Sequence, residues 1–300
     1  MGRVLPPAVV LITGATSGIG RAAALALAED GYRVLATGRR LDQLRALRAE
    51  ARGASLETLR LDVTSAESVA EARAEVLRLT DGHGVDVLLN NAGYGQFGPI
   101  ELVGEPALTA QFQTNVLGLV RVTAAFLPEM RARGAGRIVN LSSIAGRVAL
   151  PFMGLYHATK FAVEGLSDAL RREVAGFGVQ VVLIEPGAIK TNFQARSEAT
   201  LADSGVAGTP YFQAAARFRA LAGRYQGAAP GPQRVVRLLR KVLRARHPRA
   251  RYMVPAVERL SVWLSKIVPT WLVDAVVRLA LGLTRRRLRL PSDSSSGQRA

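Results

Sequence analysis

The chain has 300 residues, 49% of them hydrophobic, with a formal net charge of +17 and no cysteine. That length suits one large α/β domain or two small ones, and so much apolar content supports a substantial core and excludes disorder for most of the chain. The lack of cysteine excludes disulfides, zinc–thiolate and iron–sulfur centres, and His83, His157 and His247 fit no ligand spacing, so no metal site is expected and each histidine reads as surface or helix-face filler.

An apolar run at 8–12 ends in a glycine-rich turn and reads as a buried parallel strand. Helical spacing follows at 19–29, then a second strand at 32–37 closed by Gly38-Arg39-Arg40, a helix at 41–52, a third strand at 55–61, and a helix at 65–79 with Thr64 as its cap. A fourth strand at 85–89 enters Asn90-Asn91-Ala92-Gly93. A long helical stretch at 106–132 breaks near Asn115, and a fifth strand lies at 137–141. A helix at 155–177, a sixth strand at 179–184 stopped by Pro186-Gly187, and a seventh strand at 251–254 complete the pattern. Strands alternating with helices predict an α/β fold: a doubly wound parallel sheet, Rossmann-type, of about seven strands, with helices on both faces and the ligand at the carboxyl ends of the strands.

One sheet domain is expected to span 1–255. Its excursion, or lid, at about 188–230 carries Phe193, Tyr211, Phe212, Phe218 and Tyr225 and a short helix around 212–222. A basic, apolar helical extension is expected at 256–290, and the serine-rich 291–300 reads as a disordered tail. The stretch 1–7 is too short for a signal peptide, and no window of 18 uncharged apolar residues predicts a spanning helix.

Gly14, Gly18 and Gly20, with Ser17 and Ile19 between them, follow a strand and open a helix. Glycines there let a pyrophosphate approach the backbone and the helix N-terminus. NAD-binding folds usually place an acid at the tip of the second strand. Here Arg39 and Arg40 stand there, and a guanidinium suits a 2′-phosphate, so the expected cofactor is NADP(H). Tyr156 and Lys160, four apart, share a helix face, and Ser143 ends the fifth strand at the ligand-bearing edge of the sheet.

The motifs TGATSGIG at 13–20, Asp62-Val63, NNAG at 90–93, Asn115, Ser143, YHATK at 156–160 and PGAIKT at 186–191 occur in one order. In them the chain resembles the short-chain dehydrogenase/reductase family in its common single-domain form, and is similar to its steroid/retinol dehydrogenase-like branch. The resemblance implies Tyr156 as general acid/base and Ser143 as hydrogen-bond partner of the reacting oxygen. Lys160 would hold the nicotinamide ribose and lower the phenol's pKa, and Asn115 would hold a water linking Lys160 to solvent. It implies Asp62 and Val63 at the adenine, Asn91, Ala92 and Gly93 at the adenosine ribose region, and Pro186, Gly187, Ile189 and Thr191 near the carboxamide. Homo-oligomers are common among such relatives and one is expected here.

Apolar residues dominate 145–155 and aromatics the lid, which favours a hydrophobic alcohol or ketone (steroid, retinoid or lipid-like) as substrate, with Ser143, Phe152, Tyr156 and Phe193 at it. The alternatives are reduction of a carbonyl on an acyl carrier and a non-catalytic NADP(H)-binding protein that docks on membranes. Residues 1–200 hold 21 basic and 19 acidic side chains, whereas 201–300 hold 19 and 4. That basic last third reads either as helical packing with solvated arginines or as an interfacial surface toward anionic lipid, built from 234–246, Trp263, Trp271 and 285–289. Nucleic acid is not an expected partner, because no base-reading module is present. The expected location is cytoplasmic, with peripheral contact at the inner face of the membrane under the second reading.

Overall fold

Continuous runs of aliphatic residues make strands that must be covered on both faces. The seven here are Val9–Ile12 (β1), Arg33–Gly38 (β2), Leu56–Arg60 (β3), Val87–Asn90 (β4), Gly136–Leu141 (β5), Val179–Pro186 (β6) and Arg251–Val254 (β7). In the computed structural model, which describes residues 4–288, they form one sheet of order β3-β2-β1-β4-β5-β6-β7. Every neighbouring pair is parallel. The order reverses between β1 and β4, so a crevice opens at the carboxyl ends of those two strands.

The covering helices are Gly18–Glu29 (α1), Leu41–Glu50 (α2), Ala66–Leu79 (α3), Glu105–Phe112 (α4), Gly118–Ala132 (α5), Gly154–Val174 (α6), Phe193–Asp203 (α7), Phe212–Gly227 (α8), Gln233–Arg244 (α9), Glu258–Ile267 (α10) and Thr270–Leu281 (α11). Leu27, Leu47, Val235 and Leu239 pack on one face of the sheet, and Val69, Val76, Val122 and Phe126 on the other. The break expected near Asn115 is a π-helical turn, Gln113–Leu117, between α4 and α5.

Several boundaries differ from the sequence reading. Ser65, not Thr64, caps α3: its side chain accepts from the Ser68 amide at 3.1 Å, while the Thr64 hydroxyl donates to Asp62 Oδ1 at 2.7 Å. α7 lay unread inside the lid, because it buries only Ser197 and Leu201 and carries little apolar periodicity. The basic helix expected at 234–246 is α9, and its apolar stripe, Val235, Val236, Leu239, Val242 and Leu243, is buried in the core against α1. Each such buried aliphatic side chain contributes ~1.5–3 kcal/mol. That helix therefore has no apolar face left for lipid, which corrects its place in the interfacial reading. Arg240 on its outer side pairs with Asp30 at the end of α1, at 2.6 Å.

The C-terminal end of α9 is held from beneath by Arg137 of β5, one of the largest fully buried side chains. Its guanidinium donates to the carbonyls of Val242, Leu243 and Ala245 and to Gln180 Oε1. The apolar stretch after β7 folds into α10 and α11, divided at Pro269. α11 packs on α8, and Leu281 enters a cluster with Phe97, Phe152 and Phe218. The tail expected at 291–300, and Arg289, lie outside the described residues.

Candidate active site

β1 delivers the chain into a turn with little room for side chains. Gly14 has φ +65, and a Cβ on it would lie 2.9 Å from Ala92 Cα; a Cβ on Gly20 would lie 2.5 Å from the Gly14 carbonyl oxygen. Asn91 fixes the turn from β4: its side-chain amide donates to the carbonyls of Thr13 at 2.9 Å and Gly14 at 3.0 Å. α1 then starts with Ser17 as its cap residue, but the Ser17 side chain makes no capping bond and the first turn has no acid. The leading amide groups of α1 thus lack a side-chain partner, the arrangement that receives a phosphate.

This turn is one wall of a cleft of about 1030 Å³. Its lining includes Arg39, Arg40, Asp62 and Val63, then Gly14, Ser17, Gly18, Ile19, Asn91, Ala92 and Gly93. Pro186, Gly187, Ile189 and Thr191 line it too, as do Ser143, Tyr156, Lys160 and Phe193. Of the site residues named from sequence, only Gly20, Asn115 and Phe152 are not in the lining. Gly20 lies beneath, where its missing side chain lets α1 close on the turn. Phe152 is buried against Tyr211 and against Phe218 of the lining, with φ +68, a left-handed conformation rare for a bulky residue.

Tyr156 is buried, with its ring 5.3 Å from that of Phe193 and 6.2 Å from that of Phe97. Burial pushes its hydroxyl up to about 12, and a hydrogen bond with Ser143 acts the other way. Ser143 Oγ also donates to the Pro186 carbonyl at 3.1 Å and accepts from the Ala145 amide at 3.1 Å. Lys160 donates to the Leu141 carbonyl at 2.8 Å, and its ammonium is 5.8 Å from the Tyr156 ring centre. Burial lowers it to about 8, against the upward pull of Glu164 one turn on. The Lys160 ammonium is turned to the Leu141 carbonyl, and the hydrogen bond that lowers the phenol in this arrangement comes from Ser143.

Behind Lys160, α6 is tied to β6 and β7 by Arg251, which pairs with Glu164 at 2.9 Å and Asp168 at 2.7 Å and lies 3.4 Å from Glu185. Burial and the adjacent Glu164 raise the Glu185 carboxyl to about 7. Asn115 is buried in the π turn with its side chain fully engaged: Oδ1 accepts from the Tyr94 amide, and Nδ2 donates to the Tyr94 carbonyl at 2.8 Å and to Thr159 at 3.1 Å. A water held by Asn115 would therefore use its main-chain carbonyl.

Two contributions were missed in the sequence. His157, read as filler, is buried: Nδ1 meets the Ala145 carbonyl at 2.8 Å and Nε2 accepts from the Leu150 amide at 3.1 Å, which shapes the loop beside Ser143. With Nε2 an acceptor, the ring is the neutral Nδ1–H tautomer, and burial lowers its pKa accordingly. The lining also includes Phe97, Phe218, Leu221, Tyr225, Val277 and Leu281. Of the five lid aromatics, Phe193, Phe218 and Tyr225 line the cleft; Tyr211 packs on Phe152, and Phe212 is exposed.

A parallel sheet of this order, with an open helix N-terminus at its switch point, is a Rossmann-type fold. Residues 8–202 match the short chain dehydrogenase family, and the chain belongs to it. It is 40% identical over 266 residues to human 17-beta-hydroxysteroid dehydrogenase type 1, covering 81% of this chain and 76% of that one. Among solved structures it is similar to a short-chain dehydrogenase/reductase from Burkholderia phymatum in complex with NAD (TM-score 0.76, 26% identity, 88% of this chain and 94% of that one). It is also similar to an alcohol dehydrogenase from the archaeon Thermococcus sibiricus complexed with 5-hydroxy-NADP (TM-score 0.66, 28% identity, 82% and 95%).

Proposed function

We propose that this protein is an NADP(H)-dependent oxidoreductase that interconverts an alcohol and a ketone or aldehyde on a hydrophobic substrate, with Tyr156 exchanging the proton. The observation that carries this reading is that one cleft is lined by the phosphate-accepting turn, by aromatic residues and by the hydrogen-bonded Tyr156–Ser143 pair.

The cleft fits a dinucleotide. The α1 amides and the side-chain-free surface of Gly14 suit a pyrophosphate. Asp62 Oδ1 is held by the Thr64 amide and hydroxyl, and hydrogen bonding keeps its carboxyl ionised. When bound, the nicotinamide supplies or accepts the hydride. The protein's own part is the proton and the placement. Ser143 fixes the substrate oxygen beside the Tyr156 hydroxyl. At neutral pH a hydroxyl with a pKa near 12 is protonated, so it is ready to donate as a carbonyl is reduced. Lys160, charged below about pH 8, supplies the positive charge that favours the phenolate left behind.

A pH dependence follows from the lowered Lys160. Raising the pH through about 8 removes the ammonium charge, so kcat/KM for carbonyl reduction is expected to fall across that range. A profile level through it in steady-state assays contradicts the role given to Lys160.

The choice of NADP(H) rests on Arg39 and Arg40, which line the cleft at the tip of β2 with no carboxylate on that strand end. Replacing Arg39 by Ala is expected to lower the NADPH over NADH preference by about tenfold or more, as removal of a charge-assisted phosphate contact does. An unchanged ratio of kcat/KM values would refute it.

The substrate class is supported by the apolar side chains in the lining, Phe97, Phe193, Phe218, Val277 and Leu281. The steroid named for the human relative is of this kind. The homo-oligomer expected from the resemblance has exposed apolar residues available on the α5–α6 side, Val120, Phe161 and Leu166.

A further inference from the structure

Among the described residues no helix is long and apolar enough to cross a membrane. α10 and α11 nevertheless present apolar stripes to solvent. Leu260, Leu264 and Ile267 recur at helical spacing on α10, with Trp263 beside them 56% exposed. Leu272, Val276 and Leu279 do the same on α11, after Trp271 at its start, 71% exposed. Both tryptophans of the chain are in this pair of helices. A soluble monomer rarely leaves so much contiguous apolar surface without a partner.

The charge carried by this segment of the sequence argues for one partner. The sequence from 256 to 290 holds seven basic residues, Arg259, Lys266, Arg278, Arg285, Arg286, Arg287 and Arg289, against two acidic ones, Glu258 and Asp274. Among the described residues Arg259 and Arg278 form no ion pair, whereas the Tyr225 hydroxyl donates to Glu258. A second copy of the chain docked face to face would set two such positive surfaces together. An anionic bilayer neutralises the charge and accepts exposed tryptophans at headgroup depth.

We propose that α10 and α11 form an interfacial platform that seats this protein on the surface of an anionic membrane. Its position gives it a use. Val277, Ala280 and Leu281 of α11 line the cleft while Leu272, Val276 and Leu279 face outward, so one helix separates the substrate end from the membrane. An apolar substrate dissolved in the bilayer can then enter beside α11. This use rests on the apolar-substrate reading; the docking itself does not.

The test uses the full chain with vesicles of phosphatidylcholine, with and without phosphatidylserine, read by flotation and by tryptophan emission. The expected result is flotation with the anionic vesicles, a blue shift of the emission, and release at high salt. The triple variant Trp271→Ser, Val276→Ser, Leu279→Ser changes only exposed positions. It is expected to lower vesicle partition by about tenfold or more while leaving the rate with a water-soluble ketone unchanged. No flotation at low salt, or equal binding by the variant, overturns the proposal. So does a lipid-free oligomer in which the tryptophan emission is already blue-shifted. Neither readout depends on turnover, so a failure of the substrate reading would leave a separate signature.

Discussion

Replacing Tyr156 by phenylalanine is expected to lower turnover by ~10²–10⁴-fold, the range that general acid–base catalysis supplies. The substitution deletes one oxygen from a side chain packed between Phe97 and Phe193, so the ring and its neighbours remain in place. What is lost is the proton donor beside Ser143. Dinucleotide affinity, measured by titration calorimetry with NADP(H), should be little changed, because the amides of α1 and the Arg39 side chain are untouched. Ser143→Ala makes the complementary case. It removes the hydrogen bond that lowers the phenol and also the donor to the Pro186 carbonyl, so it should lower kcat with a smaller effect on KM. Tyr156→Phe retaining most of the wild-type rate would mean that another group handles the proton.

The largest expected effect on stability is at Arg137. Arg137→Met keeps the volume but leaves the Ala245 carbonyl and Gln180 Oε1 without their donor at the end of α9, while the Val242 and Leu243 carbonyls keep the amides of Ala245 and Val4. An unsatisfied buried acceptor costs ~1–3 kcal/mol. Burial of the guanidinium, which lowers its pKa to about 10, is a cost that the substitution relieves. Those two acceptors outweigh one relieved cation that was already hydrogen-bonded, and the net loss is expected to be about 2 kcal/mol. Arg137→Lys should recover little, since one ammonium cannot span three carbonyls and Gln180 as a planar fork does. Urea unfolding checks both variants. A midpoint for Arg137→Met close to wild type would show that packing of α9 on α1, rather than the guanidinium, fixes that helix.

The two halves of the cleft differed in how well the sequence announced them. The cofactor half depends on local backbone chemistry: Gly14 must accept a positive φ and Gly20 must lack a side chain, and both are written within one short turn. The strands were legible for a similar reason, since a doubly covered strand such as β1 or β4 is an apolar run between turn residues. The substrate half is nonlocal. Phe97 and Leu281 converge from distant parts of the chain, and in sequence each looks like ordinary core. The same limit applied to α9. A basic helix with an apolar stripe has one pattern whether the stripe meets lipid or α1, and only the Arg240–Asp30 pair, 210 residues apart, distinguishes them. His157 was overlooked because its role is defined by two backbone groups in the loop that precedes it. The spacing of Tyr156 and Lys160 placed them on one face, but it could not show that the ammonium is turned to the Leu141 carbonyl.

The most direct measurement follows the hydride. NADPH carrying deuterium at both positions of the nicotinamide C4 would be incubated with the protein and a panel of apolar ketones, and the products read by mass spectrometry. The account predicts an alcohol with one deuterium on its carbinol carbon, formed by the wild type and not by Tyr156→Phe. Persistence of the labelled NADPH across the whole panel, or an alcohol without label, would contradict it.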